Sequence, residues 1–186
     1  PPPSAVVQKF DPTLFNGRWY IAAGLNPLFD TFDCQVHFFE GARANGPGEP
    51  GRLYAKLNWR ISAPDGENID KSAIQTFVQD PKVPGALYNH DNEYLHYQDD
   101  WYILDYEAGK GNDDSDAFVL VYYRGRNDAW DGYGGAVLYT RTPNYSAAVK
   151  ERATAACDKA GLGFKFADLK APDNSCSAES ASERLL

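Results

Sequence analysis

A chain of 186 residues, 43% hydrophobic and 14% aromatic, is long enough for one domain with a substantial core and too short to divide into two. Its 26 acidic residues outnumber 18 basic ones, for a net charge of -8, and the absence of a basic stripe argues against a nucleic-acid partner, because phosphate neutralisation needs clustered Lys and Arg. No apolar run is long enough to span a bilayer and no charged-then-apolar leader opens the chain, so any membrane contact is expected to be peripheral.

Residues 1–14 read as an N-terminal extension, and the "PPPS" opening looks like the cut edge of a longer chain. Short runs with period-2 alternation then recur between Gly, Pro, Asn and Asp clusters, the pattern of an all-β domain. They predict strands at 17–24, 34–40, 52–62, 72–79, 85–89, 93–105, 117–124 and 134–141. The clearest is "RLYAKLNWRI", with Leu53, Ala55, Leu57, Trp59 and Ile61 on one face and Arg52, Tyr54, Lys56, Asn58 and Arg60 on the other. The loop before it, "GARANGPGEPG", carries no motif. "GYGG" at 132–135 lacks the Lys and Ser or Thr of a phosphate-binding loop and reads as a turn. Helix formers over 144–161, a cap at Asn144 or Ser146 and a stop at Gly161 predict one late helix. Eight short strands and one helix over residues 15–162 fit an eight-stranded antiparallel up-and-down barrel of the lipocalin type, enclosing room for one small ligand. Residues 163–186 read as a polar tail.

Chemistry enters on "YLHYQDDWYIL" at 94–104. Alternation puts Leu95, Tyr97, Asp99, Trp101 and Ile103 on the more apolar face, so Asp99 points inward and Asp100 outward; a one-residue bulge would reverse the two. A carboxyl group among Tyr97, Trp101 and Ile103 has its pKa raised by desolvation and can serve as a proton donor to a neutral oxygen of an apolar ligand. The plain alternative is an Asp that satisfies a backbone amide or an Arg. His37, His90 and His96 lack metal-ligand spacing, and so do Cys34, Cys157 and Cys176, so no metal is expected. The three cysteines allow one disulfide and a free thiol in an oxidising compartment, or three thiols in a reducing one.

"FNGRWY" at 15–20 carries the Gly-x-Trp opening of lipocalins. The longer stretches "NGRWYIAAGLNPLFDTFDCQ", "FVQDPKVPGALYNHDNEYLHYQDDWYIL" and "YYRGRNDAWDGYGGAVLYTR" resemble the central lipocalin domain of the violaxanthin de-epoxidase family. The resemblance runs from about residue 5 to "DNSC" at 173–176. It lacks the family's Cys-rich region before the barrel and its Glu-rich region after it.

The resemblance implies an oxidoreductase barrel that takes an epoxy-carotenoid and uses ascorbate as co-substrate to remove the epoxide oxygen as water, in the chloroplast thylakoid lumen. It implies Asp99 and Tyr123 as the catalytic pair, Gln35, Gln75, Phe77, Tyr97, Trp101 and Tyr139 as substrate-binding positions, and a Cys34–Cys176 disulfide with Cys157 spare. It also implies Trp19 as a plug at the closed end, under the guanidinium of Arg141. Asp33, His37 and Asp131 fall on pH-sensing positions, which would promote docking on the thylakoid membrane surface or a homodimer in acid; Leu14 and Glu40 stand where the family carries an Asp and a second His. The loops "NPLFDTFD" and "RGRNDAWDGYGG" bring Leu28, Phe29, Phe32, Trp130 and Tyr133 to a lid, a membrane-touching rim or a dimer contact. Two other readings share the barrel: a paralogue that isomerises the epoxide without reduction, and a lipocalin that only carries its ligand.

Overall fold

In the computed structural model, which describes residues 7–176, the strands pair in sequence order and the last returns to the first, giving one closed antiparallel barrel. They are β1 (Gly17–Gly24), β2 (Asp33–Ala42), β3 (Arg52–Ser62), β4 (Asn68–Gln79), β5 (Ala86–Asn89), β6 (Gln98–Glu107), β7 (Phe118–Asn127) and β8 (Trp130–Thr140). Closure pairs every strand on both sides and leaves no edge for aggregation. The fold class is the one that the alternation and the lipocalin-type opening lead one to expect.

One end of the barrel is filled by aromatic rings. Phe15 has no exposed surface and sits 4.3 Å, 5.4 Å and 5.5 Å, centroid to centroid, from Phe39, Tyr139 and Trp19. Val7 and Phe10, from the segment before β1, join the same core. The indole of Trp19 donates to the Phe15 carbonyl at 2.8 Å, and the Arg141 guanidinium stacks 3.7 Å from the Trp19 ring centroid. Arg141 also donates to the carbonyls of Asn16 at 2.8 Å and Arg18 at 3.0 Å. Burial lowers its pKa to about 10, so it keeps the charge that the cation–π contact needs.

A second apolar layer lies outside the barrel. In "FVLV", Val119 and Val121 face the interior while Phe118 and Leu120 face out, and all four are buried. A strand covered on both faces reads as a continuous apolar run. The cover is α1 (Ala147–Ala160), whose Val149, Ala153 and Cys157 recur every four residues on one face. Ser146, not Asn144, is its N-cap, accepting from the Val149 amide, and Gly161 ends it in the left-handed region at φ 62°.

The segment after the helix returns along the barrel wall. Gly24 and Lys170 exchange two backbone hydrogen bonds of 2.8 Å, the Asn174 side chain donates to the Ile21 carbonyl at 2.7 Å, and Cys34 is disulfide-bonded to Cys176. Cys157 is free and buried, with burial pushing its pKa up to about 11, which makes it a packing residue rather than a reactive thiol.

Three local expectations need correction. The predicted strand 93–105 begins only at Gln98: residues 94–96 make a tight turn in which Leu95 and His96 take φ of 51° and 45°, so Leu95, though exposed, borders the cavity from a turn rather than from the strand. "GYGG" is not a turn but part of β8, and "RGRNDAWDGYGG" is a hairpin of β7 and β8 that turns at residues 128–129. β4 starts at Asn68 rather than residue 72, which lengthens the β3–β4 hairpin beside the open end.

Candidate functional site

Above the aromatic floor the barrel encloses a largely apolar cavity of about 430 Å³, the size and character of a small-molecule site. Its polar groups come from identifiable elements: Gln35 and His37 from β2, Gln75 from β4, Asp99 from β6, Tyr123 and Asn127 from β7, Tyr133 and Tyr139 from β8, Asp30 from the β1–β2 loop, and Tyr94 and Tyr97 from the segment before β6.

Asp99 points inward at 9% exposure, while Asp100 faces outward and meets His90 at 2.6 Å. No bulge intervenes at this point of β6; its register slip falls later, between Ile103 and Asp105. Desolvation raises the Asp99 pKa, and the neighbouring charge of Asp100 adds to it. Hydrogen bonds oppose the rise: the Tyr133 hydroxyl donates to Oδ1 at 2.8 Å and the Gln75 amide to Oδ2 at 3.4 Å.

Tyr123 lines the same cavity, but its hydroxyl donates to Oδ1 of Asp30 at 2.7 Å. Asp30 is the acid that alternation missed. It lies in a loop, where no period marks which way a side chain faces, and the only hint is its position in the aromatic run "FDTFD". The loop is fixed in place: the Asn26 amide donates to Asp30 Oδ2 at 2.8 Å, the Asn26 side chain donates to the Gly134 carbonyl at 3.0 Å, and Gln35 donates to the Phe29 carbonyl at 3.2 Å. Asp30 is 3% exposed, and burial drives its pKa up to about 7 against the bonds from Tyr123 and Asn26 that favour the anion. Burial beside the acids pushes the Tyr123 and Tyr133 hydroxyls well above the ordinary tyrosine value, so both remain proton donors.

The register of β7 and β8 explains the glycines. Tyr123 is paired with Gly135, and Gly125 with Tyr133. A methyl group on Gly135 would collide with Asp30 and the Tyr123 hydroxyl; one on Gly125 would collide with Asp99 and the Tyr133 ring. Each glycine makes the space in which one acid meets one phenol.

The other expected positions divide. Gln35, Gln75, Tyr97, Trp101 and Tyr139 line the cavity. Phe77 does not: it is fully buried beneath it, 4.2 Å from the Trp101 ring, and belongs to the floor. The pH-sensing trio is not brought together. His37 is inside, sharing a hydrogen bond of 2.9 Å with the Tyr139 hydroxyl, and desolvation lowers its pKa to about 3, which corrects the expectation of a histidine that charges on mild acidification. Asp33 accepts from the Asp173 amide at 3.2 Å on the returning tail, and Asp131 is exposed on the hairpin. At the mouth, Leu28, Tyr94 and Trp130 are exposed. Phe29 packs edge-on to Trp130 at 5.7 Å, and Phe32 stacks with Trp59 at 6.4 Å.

Comparison with known proteins yields one family: the model described as the VDE lipocalin domain matches residues 1–174. The chain is 50% identical over 179 residues to the chloroplastic violaxanthin de-epoxidase of Nicotiana tabacum and 50% identical over 181 residues to that of Spinacia oleracea, in both cases covering 96% of this chain and 35% of the relative. It thus spans about a third of the length of these curated relatives. Among solved structures, lobster apocrustacyanin A1 superposes with a TM-score of 0.61 at 13% identity, covering 93% of this chain and 84% of the other, a likeness of fold alone.

Proposed function

Given that the chain belongs to the VDE lipocalin domain family, we propose that it is the substrate-binding and reacting domain of a xanthophyll-cycle de-epoxidase. The observation that carries the proposal is the presence of two buried carboxyl groups with raised pKa values, each holding a tyrosine hydroxyl, in the wall of one apolar cavity. An apolar ligand with one strained ether oxygen needs this combination: greasy walls for the hydrocarbon and a neutral acid for the oxygen.

In this reading Asp99, kept neutral by desolvation, donates its proton to the epoxide oxygen of a carotenoid end ring as a carbon–oxygen bond breaks. Tyr123, whose hydroxyl proton is held by Asp30, sets its ring against the ligand's end ring and positions it, and Gln35 and Gln75 offer donors to ligand or reductant. Ascorbate supplies two electrons; the oxygen leaves as water once a second proton arrives, a double bond forms between the two ring carbons, and dehydroascorbate is released. With an Asp30 pKa of about 7, that carboxyl is neutral on the acidic side of neutrality and the raised pKa of Asp99 favours its neutral form in the same direction, consistent with work in an acidified thylakoid lumen on the surface of the membrane. The exposed rim of Leu28, Tyr94 and Trp130 is suited to contact that surface or a second copy of the chain.

Asp99→Asn is expected to lower turnover at least a hundredfold with the thermal melt and far-ultraviolet circular dichroism unchanged. The assay follows products by chromatography with and without ascorbate in mild acid. Near-normal turnover in the variant ends the acid role, and a product formed equally well without ascorbate replaces reduction by isomerisation.

A further inference from the structure

The structure assigns Asp99 a different partner from the one that the family resemblance supplies. Both tyrosines sit on the β7–β8 hairpin with rings 6.5 Å apart, yet their hydroxyls go to different acids: Tyr123 to Asp30 at 2.7 Å, Tyr133 to Asp99 at 2.8 Å. The two pairs repeat one arrangement, with each phenol lying across from the glycine whose missing side chain admits the acid.

We propose that Tyr133 is the positioning residue for Asp99: by donating to Oδ1 it fixes that oxygen as the carbonyl of the neutral acid and leaves the transferable proton on Oδ2. A carboxylic acid protonates either oxygen, and it transfers the proton to a ligand only from the one that faces it. The hydrogen bond from Tyr133 breaks the tie, because a phenol donates far better to a carbonyl-like oxygen than to a hydroxyl. On the other side, the Gln75 amide stands 3.4 Å from Oδ2, a long contact that leaves this oxygen room to turn its proton elsewhere. Tyr133 therefore has its own reason to be a tyrosine, apart from the half-buried ring that packs 5.2 Å from Phe29.

The charged and titratable groups around Asp99 are few. Asp100 adjoins it on β6, Tyr133 faces it from β8 and Tyr123 from β7, with Tyr97 beside Tyr133. β4 contributes the neutral Gln75, and β5 places Asn89 opposite in register. No cation is among them, so a phenol at hydrogen-bonding distance is the strongest local influence on how Asp99 holds its proton.

The inference rests on Asp99 being the proton donor, and its test separates the two ideas. Carbon-13 labelling of aspartate carboxyls lets Asp99 and Asp30 be titrated individually by NMR in the chain and its variants. Tyr133→Phe is expected to raise the Asp99 midpoint by about one pH unit and leave Asp30 in place; Tyr123→Phe is expected to do the reverse. Gly125→Ala, which intrudes between Asp99 and Tyr133 without altering either, is expected to raise the Asp99 midpoint as well, and it keeps the test alive if Tyr133→Phe does not fold. An unmoved Asp99 midpoint in Tyr133→Phe, or equal movement in Tyr123→Phe, overturns the assignment. If the midpoint moves as expected but Asp99→Asn still turns over, the donor reading falls and the hydrogen bond survives. If Asp99→Asn is inactive and Tyr133→Phe leaves the midpoint unmoved, the reverse holds.

Discussion

The two ends of the barrel are built from the same residue types to opposite purposes. At the closed end, Phe15, Trp19, Phe39 and Tyr139 pack ring against ring, and the one buried charge, Arg141, is stacked and hydrogen-bonded to backbone carbonyls. At the open end, Tyr123 and Tyr133 lie across from glycines in register and give their hydroxyls to acids, even where the Tyr133 ring also packs on Phe29, and the buried charges available are two carboxyls with no cation beside them. Aromatic side chains that fill space stabilise; aromatic side chains that hold acids in an apolar cavity do so at the expense of stability. The difference places the cost of the fold where the chemistry is proposed.

The largest expected effect breaks the closed end. Phe15→Ala empties the centre of the aromatic plug and should cost about 3–5 kcal/mol, read as a fall in the urea midpoint; a loss under about 1 kcal/mol would mean that the plug is not where stability resides. Asp30→Asn sharpens the contrast at the other end. The unfolded chain releases the Asp30 proton near the ordinary 3.8, whereas the folded chain keeps it until about 7. Folding stability thus declines as pH rises through that window and levels off above it. Removing the ionisable group should stabilise the protein by at most about 4 kcal/mol at pH ~8, with the gain fading to nothing near pH ~4. Thermal melts at both extremes check the sign, and a destabilised variant at the alkaline end would contradict the argument. The opposite slope belongs to His37, which stays neutral in the folded chain down to about 3: its burial lowers stability as pH falls below about 6.5. Smallest is Arg141→Lys, which keeps a charge at the closed end but gives up the flat stack on Trp19 and the forked donation to two carbonyls; about 1 kcal/mol is expected, measured by denaturation.

How much of this could be read beforehand depended on whether the signal was periodic. The barrel and the inward turn of Asp99 follow from alternation on strands such as "RLYAKLNWRI" and "DDWYIL", because neighbouring strand residues must face opposite sides. Asp30 sits in a loop and escapes that logic entirely. Gly135 reads as a turn residue and Gly125 only as part of a loop, since their purpose appears only when β7 and β8 are set in register and each glycine is found opposite a tyrosine. The start of β6 failed for a related reason: "YLHY" alternates as well as any strand, but Leu95 and His96 adopt left-handed backbone conformations that nothing in their side chains announces. His37 has the alternation of a cavity residue, and its partner, the Tyr139 hydroxyl, lies 102 positions away in sequence.

The bond between Cys34 and Cys176 joins positions separated by 142 residues, so the oxidised chain is in effect a covalent circle containing seven of the eight strands. Such a circle deprives the denatured ensemble of far more freedom than a short loop would, on the order of 5 kcal/mol in the chain-entropy view. Because Cys34 immediately precedes Gln35, and His37 lies three positions on, the knot that closes the circle is tied beside two of the side chains that shape the cavity.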